Sequence, residues 1–206
     1  MKTWFTADQH FSHGHPDILR SRGFTTTADM DEYMIEQWNT RVQPRDTVYS
    51  IGDFTLENPI QACLILRRLH GKIRIVPAYP GHDRNWVEGP FDFQEPFEGV
   101  TGWPDHVELM RAIETIKVPK VETGTGKKRN EIICLCHYPM KTWDRSHYGS
   151  WHLHGHSHGK MGIVTGKYSL DVGVDNCYDL APVPAWRIGE VIMNPELFLL
   201  NKANKL

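Results

Sequence analysis

The stretch Thr3-Trp4-Phe5-Thr6-Ala7-Asp8-Gln9-His10 decides the fold, because a short strand-like run ends there in two side chains that can bind a metal. The β-branched and aromatic residues of Thr3–Ala7 favour extended backbone. Asp8 and His10 are two residues apart, and side chains at that spacing share one face of an extended segment. The stretch therefore predicts a strand whose carboxyl end carries a pair of ligands.

The same arrangement recurs at four later places in the chain. Strand-like runs at Thr47–Ile51, Lys72–Val76, Glu131–Cys136 and Trp151–His154 lead, in turn, into Gly52-Asp53, Gly81-His82-Asp83, His137 and Gly155-His156-Ser157-His158. Sites in open α/β sheets form in the crevice beyond the carboxyl ends of the strands. If these strands share a sheet region, their ends collect carboxylates and imidazoles in one small volume.

The rest of the chain supplies two further strands and three helices. The strands are predicted at Ile113–Val118 and Tyr168–Val172, and the helices at Asp29–Val42, Pro59–Leu69 and within Pro184–Met193. Asp29 and Glu32 have capping-box spacing at the start of the first helix. Helices alternate with strands at first, and strands then follow one another, which favours an α/β fold with mixed sheets.

Two segments between these elements lack periodicity. Gly124–Lys128 is typical of a hairpin turn between two strands. Residues 86–105 are rich in Pro, Gly and Phe and predict a surface excursion that could cover a site. No repeat or linker divides the chain, so we expect a single domain over residues 1–206.

Composition excludes several classes of protein. Hydrophobic residues make up 40% and charged residues 23% of the 206 residues, as in folded rather than disordered chains. The formal net charge of −2 gives no overall field for nucleic acid, which stays possible as a partner without being indicated. Apolar runs such as Ile132–Cys136 fall far short of the ~20 residues of a membrane span. Four cysteines are too few for a disulfide framework, so we expect a cytoplasmic protein without a membrane partner.

The histidines are concentrated in two short windows. Three of the 12 lie within residues 10–15 and four within residues 152–158, and metal binding is the usual reason for such clusters. Carboxylate and imidazole without thiolate suit Mn, Fe or Zn. Two pairs of ligands and a shared aspartate can hold two metals ~3.5–4 Å apart, a spacing that serves phosphoryl chemistry.

Five ordered blocks carry a resemblance to a known family. They are Thr6-Ala7-Asp8-Gln9-His10-Phe11-Ser12-His13, Gly52-Asp53, Gly81-His82-Asp83, His137-Tyr138-Pro139 and Gly155-His156-Ser157-His158. In order and spacing the chain resembles the calcineurin-like metallophosphoesterases, from residue 1 to about residue 192. The closing segment Asp171-Val172-Gly173-Val174-Asp175 is similar to that of the small bacterial and phage members.

The resemblance implies a fold and a set of roles. The fold would be a four-layer α/β/β/α sandwich, with two mixed sheets flanked by helices and a dimetal site at the strand ends. One metal would be held by Asp8, His10, Asp53 and His158, and the other by Asp53, His137 and His156. His82 would be the general acid, oriented by Asp83, while a hydroxide that bridges the metals attacks phosphorus. His13 and Arg84 are candidates for contacts to the substrate phosphate.

The implied activity is hydrolysis of phosphate esters, most simply of diesters. The substrate would be a small phosphate ester or a nucleotide-like molecule, and Mn is the first choice of metal, with Fe, Zn or Ni also suitable. The family has Asn where this chain has Gly81, so we expect the second metal to bind more weakly. Water, a backbone carbonyl or Asn85 could replace the missing ligand.

Other interpretations stay open at this stage. The protein could be a phosphomonoesterase, or it could keep the fold and a metal as a binding or scaffold module. A barrel amidohydrolase is disfavoured, because such barrels need ~250 residues. His15, His152 and His154 favour structural roles, Cys134 and Cys136 favour core positions, and Lys127-Lys128-Arg129 is typical of a solvated tip. The sequence leaves the oligomeric state open.

Overall fold

The computed structural model describes residues 1–87, 102–161, 168–177, 179–194 and 196. Most of the predicted excursion, residues 88–101, lies outside the described residues. Its first residue, Trp86, is fully buried rather than part of a surface loop, and its ring contacts that of Trp103 at a centroid distance of 5.5 Å. Among the described residues, no helix is long and apolar enough to span a lipid bilayer.

Nine strands, six α-helices and two short 3₁₀-helices, Ser146–Tyr148 and Val174–Asn176, make up the regular structure of the described residues. The strands are β1 (Thr3–Thr6), β2 (Thr47–Ile51), β3 (Lys72–Val76), β4 (Val107–Leu109), β5 (Ile113–Pro119), β6 (Asn130–Cys136), β7 (Trp151–His154), β8 (Ser169–Asp171) and β9 (Val183–Pro184). The helices are α1 (Pro16–Arg22), α2 (Thr27–Arg41), α3 (Pro59–Arg68), α4 (Arg84–Val87), α5 (Lys120–Thr123) and α6 (Ala185–Met193).

The strands form two mixed sheets. Sheet 1 has the order β4-β3-β2-β1-β9, with parallel pairing except at β9. Sheet 2 has the order β5-β6-β7-β8, with β5 antiparallel to its neighbour. The predicted α/β sandwich of two mixed sheets flanked by helices is confirmed. The sequence did not predict β4 and β9. β4 has three residues and β9 has two, one of them Pro184, and segments this short show no alternation of apolar and polar residues.

Two apolar layers hold the sandwich together. One lies between the sheets and includes Phe5, Ile133 and Leu153, with residues of α6 packed against it. The other joins the outer face of sheet 1 to α1, α2 and α3, and includes Trp38 and Ile73. Burial of such apolar surface is the main favourable term in folding.

The helix starts differ from the sequence-based expectation. α2 begins at Thr27, two residues earlier than predicted, because Thr26 is the N-cap and its Oγ1 accepts from the Asp29 backbone N–H at 3.1 Å. The Thr26 hydroxyl also donates to the Asp29 carboxylate at 2.6 Å, so Thr26 caps the helix in place of the predicted Asp29. His15 is the N-cap of α1, where its Nδ1 accepts from the Asp17 N–H at 3.2 Å.

The predicted turn at Gly124–Lys128 is part of a longer connection. β5 and β6 pair as antiparallel neighbours, with Pro119 opposite Asn130. The chain between them first makes the one-turn helix α5 and then reverses after Gly124.

The segment 138–150 packs against the outer face of sheet 2, where the ring of Trp143 lies 5.2 Å from that of His152.

The carboxyl ends of the parallel strands meet at one edge of the sandwich. Ala7, after β1, bridges in parallel to Gly173, after β8, which joins the two sheets there. His137 follows β6 and its Nδ1–H donates to the carbonyl of Ile51 in β2 at 2.9 Å. Side chains that follow strands of both sheets are therefore brought to the same place.

Candidate metal centre

Three overlapping trios of side chains have ligand atoms within 4.8 Å of one another. The first comprises Asp8, His10 and His158, the second Asp8, Asp53 and His137, and the third His10, Asp53 and His82. The two carboxylates each belong to two trios. Five of the six predicted metal ligands are thus brought together, and the predicted general acid lies beside them.

His156, the sixth predicted ligand, belongs to none of these trios. Its exposed ring lies 5.4 Å from the ring of His137 and 4.9 Å from that of Tyr138. Its backbone makes the closer contact, because the His156 N–H donates to both carboxylate oxygens of Asp8 at 3.0 Å. The imidazole stands exposed at the rim of the centre.

The centre holds every partnerless buried side-chain atom in the described part of the chain. These atoms are Nδ1 and Nε2 of His10, Oδ1 of Asp53 and Nε2 of His137. A buried polar atom without a partner costs about 1–3 kcal/mol. His137 Nε2 and His10 Nε2 lie 3.3 and 3.5 Å from Asp53 Oδ2, without hydrogen-bond geometry. Imidazole nitrogens and carboxylate oxygens arranged in this way fit a divalent transition metal.

The backbone around the centre is strained. Among the described residues, nine that are not glycine have positive φ, and six of them are at this edge: Asp8 (56°), His10 (51°), Ser12 (63°), Asp53 (52°), His156 (69°) and His158 (47°). Left-handed backbone is uncommon outside glycine and costs of order 1–3 kcal/mol per residue. Its concentration here turns ligand side chains inward directly after their strands end.

Asp8 is completely buried, and two glycines make room for it. A Cβ at Gly155 would lie 2.6 Å from Asp8 Oδ2, and a Cβ at Gly173 would overlap the same oxygen. The backbone of the 155–156 turn therefore approaches the carboxylate closely enough to donate to it. Burial raises the pKa of Asp8, and the nearby rings of His137 and His158 oppose that rise.

The two imidazoles beside Asp53 differ in charge preference. Burial lowers the pKa of His10 to about 3, so this ring is neutral and offers a lone pair. Burial also disfavours the charged form of His137, but the adjacent Asp53 outweighs it and raises the pKa to about 9. His137 Nδ1 already donates to a carbonyl, so Nε2 is the atom that faces Asp53. A bound metal would take the place of the proton on Nε2.

Asp83 does not have the role predicted for it. Its two carboxylate oxygens accept from the backbone N–H groups of Asp53 at 2.9 Å, Phe54 at 3.0 Å and Ala78 at 2.7 Å, and from Trp86 Nε1 at 2.9 Å. None of these donors is His82. Adjacent side chains diverge at this turn, so Asp83 positions the Asp53 loop instead of the His82 imidazole. Burial raises its pKa.

Arg22 and Asp175 hold the Asp8 and His158 loops, and the sequence did not reveal them. Asp175 Oδ2 lies 2.6 Å from His158 Nδ1, and its carboxylate accepts from Arg22 Nε at 2.8 Å and Nη2 at 3.0 Å. The same guanidinium donates to the carbonyls of Asp8 and Gln9 at 2.7 Å. Despite burial, these contacts hold the pKa of Asp175 well below its usual range. Asp175 was visible only within the closing segment, and Arg22 carried no signal.

The open side of the centre is lined by further rings. His82 is exposed, and its ring and that of His13 each lie 5.4 Å from His10. Burial lowers the pKa of His13. Arg84 is exposed at the start of α4, and no contact there tests its predicted role toward phosphate.

Ala78 and Tyr138 leave no room for a side chain at Gly81. A Cβ at Gly81 would lie 2.9 Å from Ala78 Cβ and 3.0 Å from the Tyr138 hydroxyl oxygen. The phenol of Tyr138 thus occupies the space beside Gly81, while Asn85 is exposed on α4. Any residue larger than glycine at position 81 would require these groups to shift.

Residues expected to be structural are buried away from the ligand atoms. His152 Nε2 accepts from the Met140 N–H at 3.1 Å, and its Nδ1 lies 3.2 Å from the carbonyl of Cys134. Cys134 and Cys136 are free, buried thiols on the same sheet. Burial raises the pKa of both thiols, so they are poor metal ligands.

Comparisons with other proteins bear on the fold. No known protein-family profile matches the chain. An uncharacterized protein of Methanocaldococcus jannaschii, MJ1445, is 29% identical over 85 residues, which are 40% of this chain and 47% of that protein, so the match spans about half of its length. The crystal structure of AQ665, a protein of unknown function from Aquifex aeolicus, has a TM-score of 0.60 at 18% identity, over 92% of this chain and 98% of that chain. At this identity the likeness shows that the two chains share a fold.

Proposed function

We propose that the chain is a dimetal phosphoesterase of the calcineurin-like type, most simply a phosphodiesterase. The observation that carries the proposal is the set of partnerless buried atoms on His10, Asp53 and His137, which surround one small volume. Asp8, His10, Asp53 and His158 would hold one metal. Asp53 and His137 would hold the second, with His156 after a rotation of its side chain. Mn²⁺ is the first choice, and Fe, Zn or Ni also suit these ligands.

Different residues of the chain would have different roles in the proposed hydrolysis. Two divalent metals bound here would supply the charge neutralisation and water activation that phosphate-ester hydrolysis needs. His82 would protonate the leaving oxygen. Its ring is exposed at the rim, and one of its nitrogens lies within 4.8 Å of ligand atoms of His10 and Asp53. His13 faces the same opening and would contact the substrate phosphate, while Arg84 lies close enough in sequence to join it. Asp83, Arg22 and Asp175 would hold the ligand loops in position.

The proposed substrate is a small phosphate ester or nucleotide-like molecule. His82 and His156 stand exposed beside the buried ligand atoms, which suits a diester with groups on both sides of phosphorus. A reducing compartment such as the cytoplasm is proposed, because all four cysteines are free thiols.

Hydrolysis of bis-p-nitrophenyl phosphate by metal-stripped protein tests this proposal. We expect Mn²⁺ to restore a chelator-sensitive activity and His82→Ala to lower it by about 10²–10⁴-fold, the usual contribution of a general acid. His70→Ala, a change of an exposed histidine outside the metal centre, is the matched control. The monoester p-nitrophenyl phosphate, run in parallel, separates diesterase from monoesterase activity.

A binding or scaffold module is the second candidate, and Gly81 is the observation in its favour. Without a side-chain ligand at this position, the second metal should bind at least about tenfold more weakly than the first. Calorimetric titration of metal-free protein with Mn²⁺ measures both dissociation constants. Equal constants would remove the argument from Gly81. Metal binding without turnover of either ester, with Mn²⁺, Fe²⁺, Ni²⁺ or Zn²⁺, would favour the module over the enzyme.

A further inference from the structure

A second polar cavity lies at the opposite end of β6 from the metal centre. It has a volume of about 290 Å³ and is lined by residues that include Lys120, Arg129, Asn130, Arg145 and Tyr148. Asn130 begins β6, whereas Cys136 ends the strand beside His137. Seven residues of strand span roughly 20 Å, so the cavity is well separated from the proposed metals.

The charges around this cavity are unbalanced. Glu131 lines it and is paired with Lys120 at 3.3 Å. Arg129 and Arg145 make no side-chain hydrogen bond or ion pair within the described residues, so both guanidinium groups are available to a ligand. Lys127 and Lys128, both exposed, precede Arg129 directly. The cavity therefore presents excess positive charge on an otherwise nearly neutral protein.

The backbone under these two cations is strained. Arg129 has a φ of 74° and Arg145 a φ of 58°, and arginine gains nothing from left-handed backbone. Residues held in this way cluster at binding and switch sites, where the surrounding structure maintains them. Two unpaired arginines in this conformation on the wall of one cavity point to a site for an anion.

An exposed aromatic ring lies beside the cations. The Tyr148 side chain is 81% exposed, and its ring lies 4.1 Å from that of His147. Cationic grooves with exposed aromatic rings are how proteins bind single-stranded nucleic acid without sequence preference, through phosphate contacts and base stacking. A bare polyanion would use the arginines but not the ring.

We propose that this cavity binds single-stranded nucleic acid, with phosphates on Arg129 and Arg145 and a base stacked on Tyr148. The proposal goes beyond the phosphoesterase activity and does not depend on it, because none of the cavity residues belongs to the metal centre. The surface would hold an oligonucleotide in the presence or absence of metal.

Fluorescence anisotropy of a short labelled oligothymidylate tests the proposal. The titration is run in excess chelator, so that binding at the metal centre does not contribute. We expect the double variant Arg129→Asn and Arg145→Asn to weaken binding at least about tenfold and to lower the slope of log Kd against log salt concentration by about 2, one for each phosphate contact. Asparagine removes the charge and tolerates left-handed backbone.

Two further variants make the test specific. Arg45→Asn with Lys72→Asn, which removes the same charge from exposed positions elsewhere, should leave the affinity within about twofold. Tyr148→Ala should weaken binding about tenfold through the lost stacking contact. Unchanged affinity in the double arginine variant would overturn the proposal. Equal competition by polyphosphate, with no effect of Tyr148→Ala, would also overturn it in favour of a bare polyanion site.

Discussion

The two ends of β6 place polar groups in opposite surroundings. At the His137 end the ligand side chains are buried, and four of their atoms have no partner. At the Asn130 end Arg129 and Arg145 face an open cavity, where water solvates their charges. A buried polar atom needs an internal partner, which the proposed metals would supply, whereas an exposed cation needs none and is free to meet an anionic partner.

Strained backbone is what the two ends share. Eight of the nine non-glycine residues with positive φ in the described chain lie at one end or the other, six at the metal centre and two at the cavity. Strained backbone is therefore common to both ends of β6, and the two ends differ in how deeply their polar side chains are buried. The centre should depend on its ligand for stability, while the cavity should not. The predictions below test that difference.

The largest effect is expected from Asp53→Ala. Asp53 belongs to two of the three trios, and its loss leaves His10 and His137 without their shared carboxylate. Changing a residue that only hydrogen-bonds to a metal ligand lowers metal affinity about 10- to 100-fold, so loss of a shared ligand should weaken binding of both metals by more than about 100-fold. Metal per chain, measured by mass spectrometry after desalting, should fall close to zero. Asp105→Ala, at an exposed position, should retain full metal, and two metals retained in Asp53→Ala would refute the shared ligand.

Asp175→Asn should lower the free energy of unfolding by about 3–5 kcal/mol at neutral pH, because it leaves the buried Arg22 charge without its partner. The native pKa of Asp175 lies below the unfolded value of about 3.9, so its contribution is present above that pH. It is lost as the pH falls through the native pKa.

Urea denaturation of the metal-free wild type and of Asp175→Asn, over a series of pH values, measures the difference in their free energies of unfolding. The gap between wild type and Asp175→Asn should be largest near pH 5, because His158, whose pKa the Asp175 carboxylate raises, loses its proton at higher pH, and it should narrow in more acidic solution. Asp17→Asn, which breaks only exposed pairs with Arg20 and His15, is the control and should change stability little. A gap that widens on acidification below about pH 5 would contradict the assignment.

Gly155→Ala should cost about 1–3 kcal/mol, the usual effect of overpacking. The added Cβ would lie 2.6 Å from Asp8 Oδ2 and 2.7 Å from Ala7 Cβ. Because the clash falls on a ligand, the affinity for Mn²⁺ should drop with the melting temperature. Gly126→Ala, whose nearest atom would be 3.6 Å away, should change neither. Normal Mn²⁺ affinity in Gly155→Ala would mean that Asp8 is not a ligand.

The smallest effect on stability is expected at the cavity. Arg129→Asn and Arg145→Asn remove solvated charges and relieve strain, so the free energy of unfolding should stay within about 0.5 kcal/mol of wild type or rise slightly. Thermal and urea denaturation of the wild type and the variants measure the change in the free energy of unfolding. A loss above about 1.5 kcal/mol would show that the arginines hold the fold, and the contrast between the two ends would disappear.

Much of the centre was predictable because its signals are local. Strand-like runs that end in Asp8, Asp53, His137 and His158 are visible one segment at a time, and parallel strands bring such ends to one edge. The residues that were missed act across the fold. Arg22 reaches Asp175 over a separation of 153 residues, and Asp83 accepts from backbone groups 29 and 30 residues away.

The sequence by itself determined seven of the nine described strands, the class of fold and the chemical type of the side chains at the strand ends, since these follow from apolar periodicity and residue identity. Only the tertiary structure decided that Asp83 holds the Asp53 loop, that His156 uses its backbone toward Asp8, and that Tyr138 fills the space beside Gly81. The physical reason is that each of these contacts involves a backbone N–H group or a packed volume. Backbone groups are the same in every residue, so their partners are set by how the two sheets come together.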